Sequence, residues 1–345
     1  MKIYEITIIP LTGLGTPMIG DSVFGTFCWQ IANDDKLVGK KLDDLLSNYH
    51  TKPFVIFSSV YPKFLSNKVY NYAFKTPALP LEAIFNLPAN REEKIAKRKE
   101  FKSKKWMLVA ENQKISSIKE LEKVNDAELF EKIKSSINNE TRKQIKRSGA
   151  KSFSATLQQF HNKINRVTGK TGEEGFAPFS VFQEVYIPNM ELSLFVGFDE
   201  NSISIEQILT ILQKIGDTGF GKDASIGLGK FKVGEETEID LSKIGSDSPN
   251  ALYTLSPSVP EKGIYQEIYF QPFTRFGKHG DMLAKSDNPF KNPVIMADEG
   301  AVLIPKEKGY LEKNYIGTAV SNLSKSMKET VTQGYSLVIP INVEV

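Results

Sequence analysis

An α+β fold in two units is predicted for this chain, and three features of the sequence predict it. Over residues 2–235 the hydrophobic pattern runs strand, helix, strand, strand, helix, strand, with a large basic insertion between the second and third strands. The second of those helices carries start and stop signals at both ends. Beyond residue 250 the pattern is one of strands with little amphipathic helix. The length of 345 residues suits two cores of ordinary size, and 40% hydrophobic with 10% aromatic residues is the composition of a folded globular protein.

Residues 2–9 alternate Ile3, Glu5 and Thr7 with other β-formers and stop at Pro10, which predicts a strand. A glycine-containing loop, Thr12 to Pro17, leads to Gly20-Asp21-Ser22, where Asp21 or Ser22 can cap a helix whose Phe24, Phe27, Cys28 and Ile31 share one face. Phe54 to Phe57 predicts the second strand, ending near Tyr61-Pro62. The aromatic, basic stretch from Tyr61 to Pro77 either projects as a hairpin or loop or packs its rings into the body.

The insertion covers about residues 86–155. Residues 91–151 hold 18 of the 44 Lys/Arg and only 10 of the 41 Asp/Glu, so basic charge is concentrated there in a chain whose net charge is just +3. Lys94, Lys97, Arg98, Lys99, Lys102, Lys104 and Lys105 form one cluster; Arg142, Lys143, Lys146 and Arg147 form another. Solvated helices with i,i+4 charge pairs and a nucleic-acid surface are both compatible with that pattern. Next, His161 to Gly169 and Gly172-Glu173-Glu174-Gly175 make a polar loop in which Asn165, Arg166 and Thr168 could reach phosphates and base edges. Strands are predicted at residues 182–186 and 191–198.

The helix that follows has Ser204 as N-cap with Gln207 at the third position, a capping box, and Ile203 and Ile208 as a hydrophobic staple. Ile205, Ile208, Leu209, Leu212 and Ile215 line its buried face, and Gly216 is placed as the C′ residue. The loop from Gly216 to Val233, GDTGFGKDASIGLGKFKV, then leads into a strand. Its missing side chains allow backbone N–H groups to approach a phosphate chain, and its lysines add charge. A polar stretch from Glu235 to Asn250 reads as a linker. Strands are predicted at 251–255, 263–273, 294–296, 301–305 and 335–345, and Arg275 with Gly277-Lys278-His279-Gly280 makes a basic turn.

Several chemistries are disfavoured. With Cys28 as the single cysteine there is no intramolecular disulfide and no Cys-rich metal site. The opening MKIYEITIIP reads as a strand rather than a signal peptide, and no apolar run approaches the roughly 18 residues of a membrane span, so a cytoplasmic location is expected. Asp34-Asp35 and Asp43-Asp44 are adjacent pairs whose side chains diverge, which does not build a two-metal site. Neither metal nor cofactor is expected. The loop fits G-x-x-x-x-G-K from Gly216 to Lys222, but Asp223 stands where a phosphate-binding loop of that type needs Ser or Thr. It also fits G-x-G-x-x-A from Gly219, yet in both cases a helix precedes and a strand follows, the reverse of a nucleotide-binding turn.

The order of elements over residues 2–235 is that of a ferredoxin-like (RRM-like) domain, both helices covering one face of an antiparallel sheet. At its last loop, Gly219-Phe220-Gly221 followed by Gly227-Leu228-Gly229-Lys230-Phe231 resembles the glycine-rich signature of the RAMP superfamily of CRISPR-associated proteins, G-x-G-x-x-x-x-G-x-G, with one extra residue in the spacer. Pro10-Leu11, Gly20 to Gly25, Cys28-Trp29, His161 to Gly169, Ser256 to Pro260 and Glu299-Gly300 narrow the resemblance to the fourth subunit of type III-A (Csm) effector complexes. It spans most of the chain outside the basic insertion.

That resemblance implies tandem ferredoxin-like domains, residues 1–240 with the insertion and residues 251–345. It implies a non-catalytic subunit that caps the 5′ repeat-derived tag of the CRISPR RNA, joins the large palm-domain subunit to the backbone RAMP filament, and meets target RNA only indirectly. Candidate RNA-binding residues are Gly219, Phe220, Gly221, Lys222, Ser225, Gly227, Gly229 and Lys230 in the loop. Asn165, Arg166, Thr168, Ser22, Lys75, Arg275 and Lys278 are the others, and the Tyr61 to Pro77 stretch would stack on or displace nucleotides. The alternative is a RAMP-type, metal-independent endoribonuclease processing precursor RNA. Such enzymes use a histidine near the first helix, whereas residues 11–33 contain none, and His50, His161 and His279 are scattered.

Overall fold

The computed structural model describes residues 1–111, 113–172 and 175–344. Glu173 and Glu174 of the polar loop and the terminal Val345 lie outside the described residues. Strand β1 (Lys2–Pro10) leads to helix α1 (Gly20–Asn33), a short α2 (Leu42–Leu46) and the hairpin β2 (Val55–Ser66) and β3 (Val69–Lys75). The insertion supplies α3 (Leu81–Ile84), α4 (Arg91–Ser103), β4 (Trp106–Ala110), β5 (Lys123–Val124), α5 (Asp126–Ser136) and α6 (Asn139–Ser148). Then come the hairpin β6 (Ser154–His161) and β7 (Phe179–Tyr186), strand β8 (Glu191–Phe198), helix α7 (Ile205–Thr218), strand β9 (Phe231–Glu238) and the short α8 (Leu241–Ile244).

The first sheet has the order β5-β4-β3-β2-β8-β1-β9. Its last four strands are a ferredoxin-like set, β2-β8-β1-β9, each antiparallel to its neighbour. One face takes Phe27 of α1 against Phe57, with ring centroids 5.0 Å apart. The other holds Phe195 against Tyr72 and Phe74, and Phe74 against Tyr253 of the C-terminal unit.

After α8 the chain forms β10 (Ala251–Thr254), β11 (Tyr265–Tyr269), β12 (Pro272–Arg275), β13 (Val294–Ala297), β14 (Val302–Pro305), β15 (Tyr315–Gly317) and β16 (Tyr335–Ile341). The second sheet runs β11-β14-β10-β16-β15. Numbering its main strands β10, β11, β14 and β16 as one to four gives two-three-one-four, the same ferredoxin-like order. The helical crossovers of that plan are replaced here by irregular segments and, after β14, by one short 3₁₀ turn (Lys308–Glu312). Tyr253, Leu255, Leu337 and Ile339 join the core of the first unit. Leu252, Leu303, Ile316 and Val338 form a smaller cluster on the opposite side.

Four local expectations are corrected. Tyr61 to Pro77 does not project: it lies within the sheet, where Tyr61, Phe64, Tyr72 and Phe74 are buried. Helix α1 begins at Gly20 after Ile19, which makes no side-chain cap, so Asp21 and Ser22 fall inside the first turn. A Cβ at Gly20 would sit 2.3 Å from the Phe57 carbonyl oxygen, and this approach fixes the start of the helix. Helix α7 runs through Gly216 to Thr218; Gly216 is an in-helix contact whose Cβ would meet the Phe231 carbonyl at 2.2 Å. The stretch from Glu235 to Asn250 is docked rather than free, since Leu241 and Ile244 are buried.

The two units are joined at an irregularity in β2. Its register against β8 shifts between Phe57 and Val60, and Phe57, still opposite Val196, turns its backbone groups to the edge of β2 that β3 does not cover. Gln333 bonds both of those on Phe57, accepting from its N–H at 3.0 Å and donating to its carbonyl at 2.7 Å. Ser59 donates its N–H to Leu255 at 2.9 Å, and the Tyr61 hydroxyl donates to the same carbonyl at 2.8 Å. Gln333→Leu strands the two Phe57 groups in the core and is expected to destabilise the fold by at least about 2 kcal/mol. Urea unfolding measures this, and a midpoint equal to that of the unmodified chain would contradict it.

Candidate nucleic-acid interface

The capping box of α7 forms as its sequence requires: Ser204 accepts from the Gln207 amide, and the Gln207 side chain accepts from the Ser204 amide. The helix closes on Gly219 at φ +102°, a conformation that favours glycine. From there the loop folds onto residues 11–16. Phe220 is 1% exposed, and its N–H donates to Gly229 at 2.9 Å. The Gly229 N–H donates to Gly13 at 2.8 Å, the Lys222 N–H to Thr16 Oγ1 at 2.9 Å and the Lys230 N–H to Thr12 Oγ1 at 2.9 Å. Asp223, at φ +63°, accepts from the Ile226 and Leu228 amides.

The loop's amides are therefore largely committed to the fold. Those of Gly219, Phe220, Lys222, Gly227, Gly229 and Lys230 have internal acceptors. Phe220 is an anchor under the loop, with its ring in the core. What the outer side presents is side chains: Lys222, Ser225, Ile226 and Lys230 are exposed. The Lys222 ammonium lies 3.9 Å from Asp223, a loose surface pair. The surface thus offers point charges beside the amides of Gly221, Asp223, Ala224 and Ser225, which have no acceptor among the described residues.

The loop of residues 11–16 is stitched on its other side to the β6–β7 hairpin. Leu14 and Glu184 exchange both backbone hydrogen bonds, at 2.8 and 2.9 Å, and Gly13 lies against Gln183. The hairpin pairs in register from Ser154↔Tyr186 to His161↔Phe179. Its side chains find little to cover them: Phe160 is 76% exposed, Phe182 57% and Leu157 50%. Phe160 pairs with Ser180 and Gln158 with Phe182, so the two rings are diagonal neighbours on one face. On the other face His161 stacks on Phe179 at 5.3 Å. This hairpin is the projection that the Tyr61 to Pro77 stretch is not.

Asn165, Arg166 and Thr168 sit at the hairpin's tip. Asn165 Oδ1 accepts from the Val167 and Thr168 amides, and Thr168 Oγ1 accepts from Lys170, so Asn165 and Thr168 shape the turn while Arg166 is exposed on it. Five residues of strand, roughly 17 Å, separate this tip from the Glu184 bridge at the base. The glycine loop and the tip are consequently two ends of one surface rather than one cluster.

Four other candidates lie elsewhere. Arg275 donates to Ser22 Oγ at 2.8 Å and pairs with Asp21 at 2.6 Å, tying β12 to α1. Burial pushes the Asp21 carboxyl up against the pull of Arg275. Both Ser22 and Arg275 are thus already engaged. Lys278 is exposed over the Phe290 ring at 5.5 Å. Lys75 stands nearer the hairpin: its ammonium is 4.3 Å from the Trp106 ring centroid and 3.8 Å from Glu299. It lines a cleft of about 320 Å³ that reaches Met18, Ser154 and Glu184.

The histidines lie on separate elements. His50 offers its carbonyl to Tyr335, His161 is on β6, and His279 is buried against Ser324 Oγ at 2.7 Å, where burial lowers its pKa. Among the described residues no group of three metal-ligating side chains is gathered, and no helix is long and apolar enough to cross a membrane.

The family model of the RAMP superfamily matches residues 4–232, the span from β1 through the glycine loop. The chain belongs to the RAMP superfamily. No curated protein matches it in sequence. In structure this RAMP chain is similar to a chain of the Csm1-Csm4 cassette in complex with cA4, with TM-score 0.55 and 12% identity over 100% of this chain and 99% of that one. It is also similar to a chain of the Csm3-Csm4 subcomplex in the type III-A CRISPR-Cas interference complex. That match has TM-score 0.52 and 15% identity, and covers 99% of this chain and 100% of that one. At such identities the likeness is one of fold, and it extends over both units.

The RAMP glycine loop makes its own test. A Cβ on Gly229, which has φ +75°, would lie 2.1 Å from the Phe220 carbonyl, whereas at Gly227, φ +99°, it would meet open space. Gly227→Ala is expected to cost about 1 kcal/mol, the penalty of the backbone conformation alone. Gly229→Ala should cost several times that and expose the Phe220 amide to hydrogen exchange. Equal losses for the two variants, measured in urea, would contradict the packing described.

Proposed function

We propose that this RAMP chain is a non-catalytic RNA-binding subunit of a type III-A CRISPR effector complex. In this reading it binds the 5′ repeat-derived tag of the CRISPR RNA and links the large palm-domain subunit to the backbone filament. The observation that carries the reading is the double stitching of residues 11–16, to the glycine loop on one side and to the β6–β7 hairpin on the other. It brings the loop that carries Lys222, Ser225 and Lys230 beside the hairpin that carries the exposed rings, which suits an RNA strand held by its phosphates and stacked through its bases. The whole-length likeness to chains from Csm1-Csm4 and Csm3-Csm4 assemblies is what supports the two protein neighbours in this reading. Separation of the three histidines supports a subunit without acid–base chemistry of its own.

Lys222→Ala with Lys230→Ala is expected to weaken binding of a tag-bearing RNA by on the order of tenfold. Its log–log salt slope should fall by about 1.4, since each phosphate neutralised on a single strand contributes about 0.7. Fluorescence anisotropy at several salt concentrations measures both. An unchanged affinity and slope would remove the loop from the interface, and a cut product after incubating the RNA in EDTA would favour the endoribonuclease instead.

In the same reading the hairpin stacks on or displaces nucleotides, the role first assigned to Tyr61 to Pro77. Phe160→Ala with Phe182→Ala removes two exposed side chains, so stability should shift by less than about 0.5 kcal/mol. A 2-aminopurine in the guide of the assembled complex should nevertheless lose the fluorescence change that reports unstacking. Retention of that change would assign the two rings no part in it.

A further inference from the structure

Helix α4 in the insertion, REEKIAKRKEFKS, is segregated by charge. Arg91, Lys94, Ile95, Arg98, Phe101 and Lys102 line an open groove of about 1260 Å³, and their spacing puts them on one helical face. Glu92, Glu93 and Glu100, the helix's three acids, all fall outside that lining. Residues 91–100 are all exposed. The helix is held to the body by Phe101, stacked on Phe85 at 4.6 Å, and by the pair Lys94–Glu82 at 2.8 Å. Four of the helix's six cations thus share the face that carries no acid, while Lys97 and Lys99 lie outside the lining with the glutamates.

The rest of the groove has the same character. Lys75, Lys104 and Lys105 add charge, and Phe270, 45% exposed, adds an uncovered ring. The acids present are Glu82, already paired, and Asp298 and Glu299, whose carboxyls burial pushes up. Lys104 and Lys105 are paired to Glu128 and Asp126. Arg91, Arg98 and Lys102 have no ion-pair partner among the described residues. Lys75, Lys105 and Glu299 also line the cleft that reaches Ser154 and Glu184, so the groove continues toward the base of the β6–β7 hairpin.

We propose that this groove is a second RNA site, which takes single-stranded RNA by its phosphate backbone without reading sequence. Three unpaired cations along one helix face, exposed apolar and aromatic side chains between them and continuity with the hairpin together favour a nucleic-acid strand over an acidic protein surface. The proposal rests on the reading of the chain as an RNA binder but not on recognition of the tag.

The test uses the full chain with two labelled RNAs of equal length, one bearing the tag and one oligo(U), titrated over a series of salt concentrations. Arg91→Ala with Arg98→Ala and Lys102→Ala is expected to weaken both RNAs by the same factor, on the order of tenfold or more, and to lower each slope by about 2. Phe270→Ala should weaken both at least about fivefold, the loss of one stacked base. The substituted side chains are exposed, and an unchanged circular dichroism spectrum verifies the fold. Loss of oligo(U) binding in the triple variant upholds the groove even where tag preference is absent, which separates its fate from that of the tag reading. Unchanged oligo(U) affinity and slope would overturn it. So would absence of oligo(U) binding by the unmodified chain, or a triple variant that keeps RNA and loses only a protein subunit.

Discussion

The bulge in β2 at residues 57–60 is the joint on which the other parts depend. Around it Phe57 and Ser59 carry backbone groups that no neighbouring strand takes, and a buried group without a partner costs about as much as a lost hydrogen bond. Each is claimed by a different part of the chain. Gln333 takes both polar groups of Phe57, Leu255 takes the Ser59 amide, and Met18 accepts from the Val60 amide. The Ser58 hydroxyl accepts from the Phe195 amide, which keeps β8 attached where the ladder lapses. Gly20 packs directly on the Phe57 carbonyl. One irregularity thus positions the start of α1, the approach to residues 11–16 and the whole C-terminal sheet.

From that joint the functional surface follows by backbone packing against backbone. Gly15 approaches the Lys222 carbonyl, Gly219 that of Leu228 and Gly229 that of Phe220, at distances that leave no room for a Cβ. These contacts pin the loop and take most of its donors, leaving the amides of Gly221, Asp223, Ala224 and Ser225 beside the exposed lysines. The consequence for chemistry is specific. A nest of free amides grips one phosphate with fixed geometry, whereas exposed lysines on a rigid ledge attract any phosphate chain and give strong salt dependence. In the proposed reading, discrimination among RNAs comes from elsewhere on the surface, and the exposed hairpin is the adjoining element.

What the sequence disclosed and what it hid follow from the same physics. The ferredoxin-like order was legible because α1 and α7 each bury one face, which leaves a helical period, and because β1 and β8 are short runs of β-formers; the Ser204–Gln207 box marked α7 to the residue at its start. Its end was misjudged because Gly216 and Gly219 are both glycines, one needed for close packing and the other for φ +102°. Composition does not distinguish these needs, nor either of them from a phosphate cradle. Strand β6 was missed because Leu157 and Phe160 face no core, so no burial constraint wrote an alternation into SATLQQFH. The rings from Tyr61 to Phe74 were ambiguous for the opposite reason. Aromatic and basic residues suit a projection as well as an interior, and only the C-terminal sheet, through Tyr253 and Leu255, turns that hairpin into core. Ser22 and Arg275 looked available because the sequence separates partners that the fold brings to 2.8 Å.

The absence of long helices in the second unit completes the argument. A ferredoxin-like sheet needs helices to cover one face only when nothing else does. Here β10 and β16 lay one side against the first unit, with Tyr253, Leu337 and Ile339 in the shared core. The small cluster of Leu252, Leu303 and Val338 on the other side is closed by Ile316, Ile264 and Leu311 from short segments. Relieved of helices, the C-terminal unit can spend its chain on the β12–β13 hairpin, which grips α1 through Arg275, and on Phe270, Asp298 and Glu299, which floor the groove beneath α4. The groove is therefore composite: most of its cations come from the insertion, Lys75 comes from β3, and Phe270, Gln271, Asp298 and Glu299 come from the second unit. The contacts at the β2 irregularity hold the second unit against the first, and with it the Phe270, Asp298 and Glu299 side of the groove, whereas α4 is held by Phe85 and Glu82 of the insertion's own start.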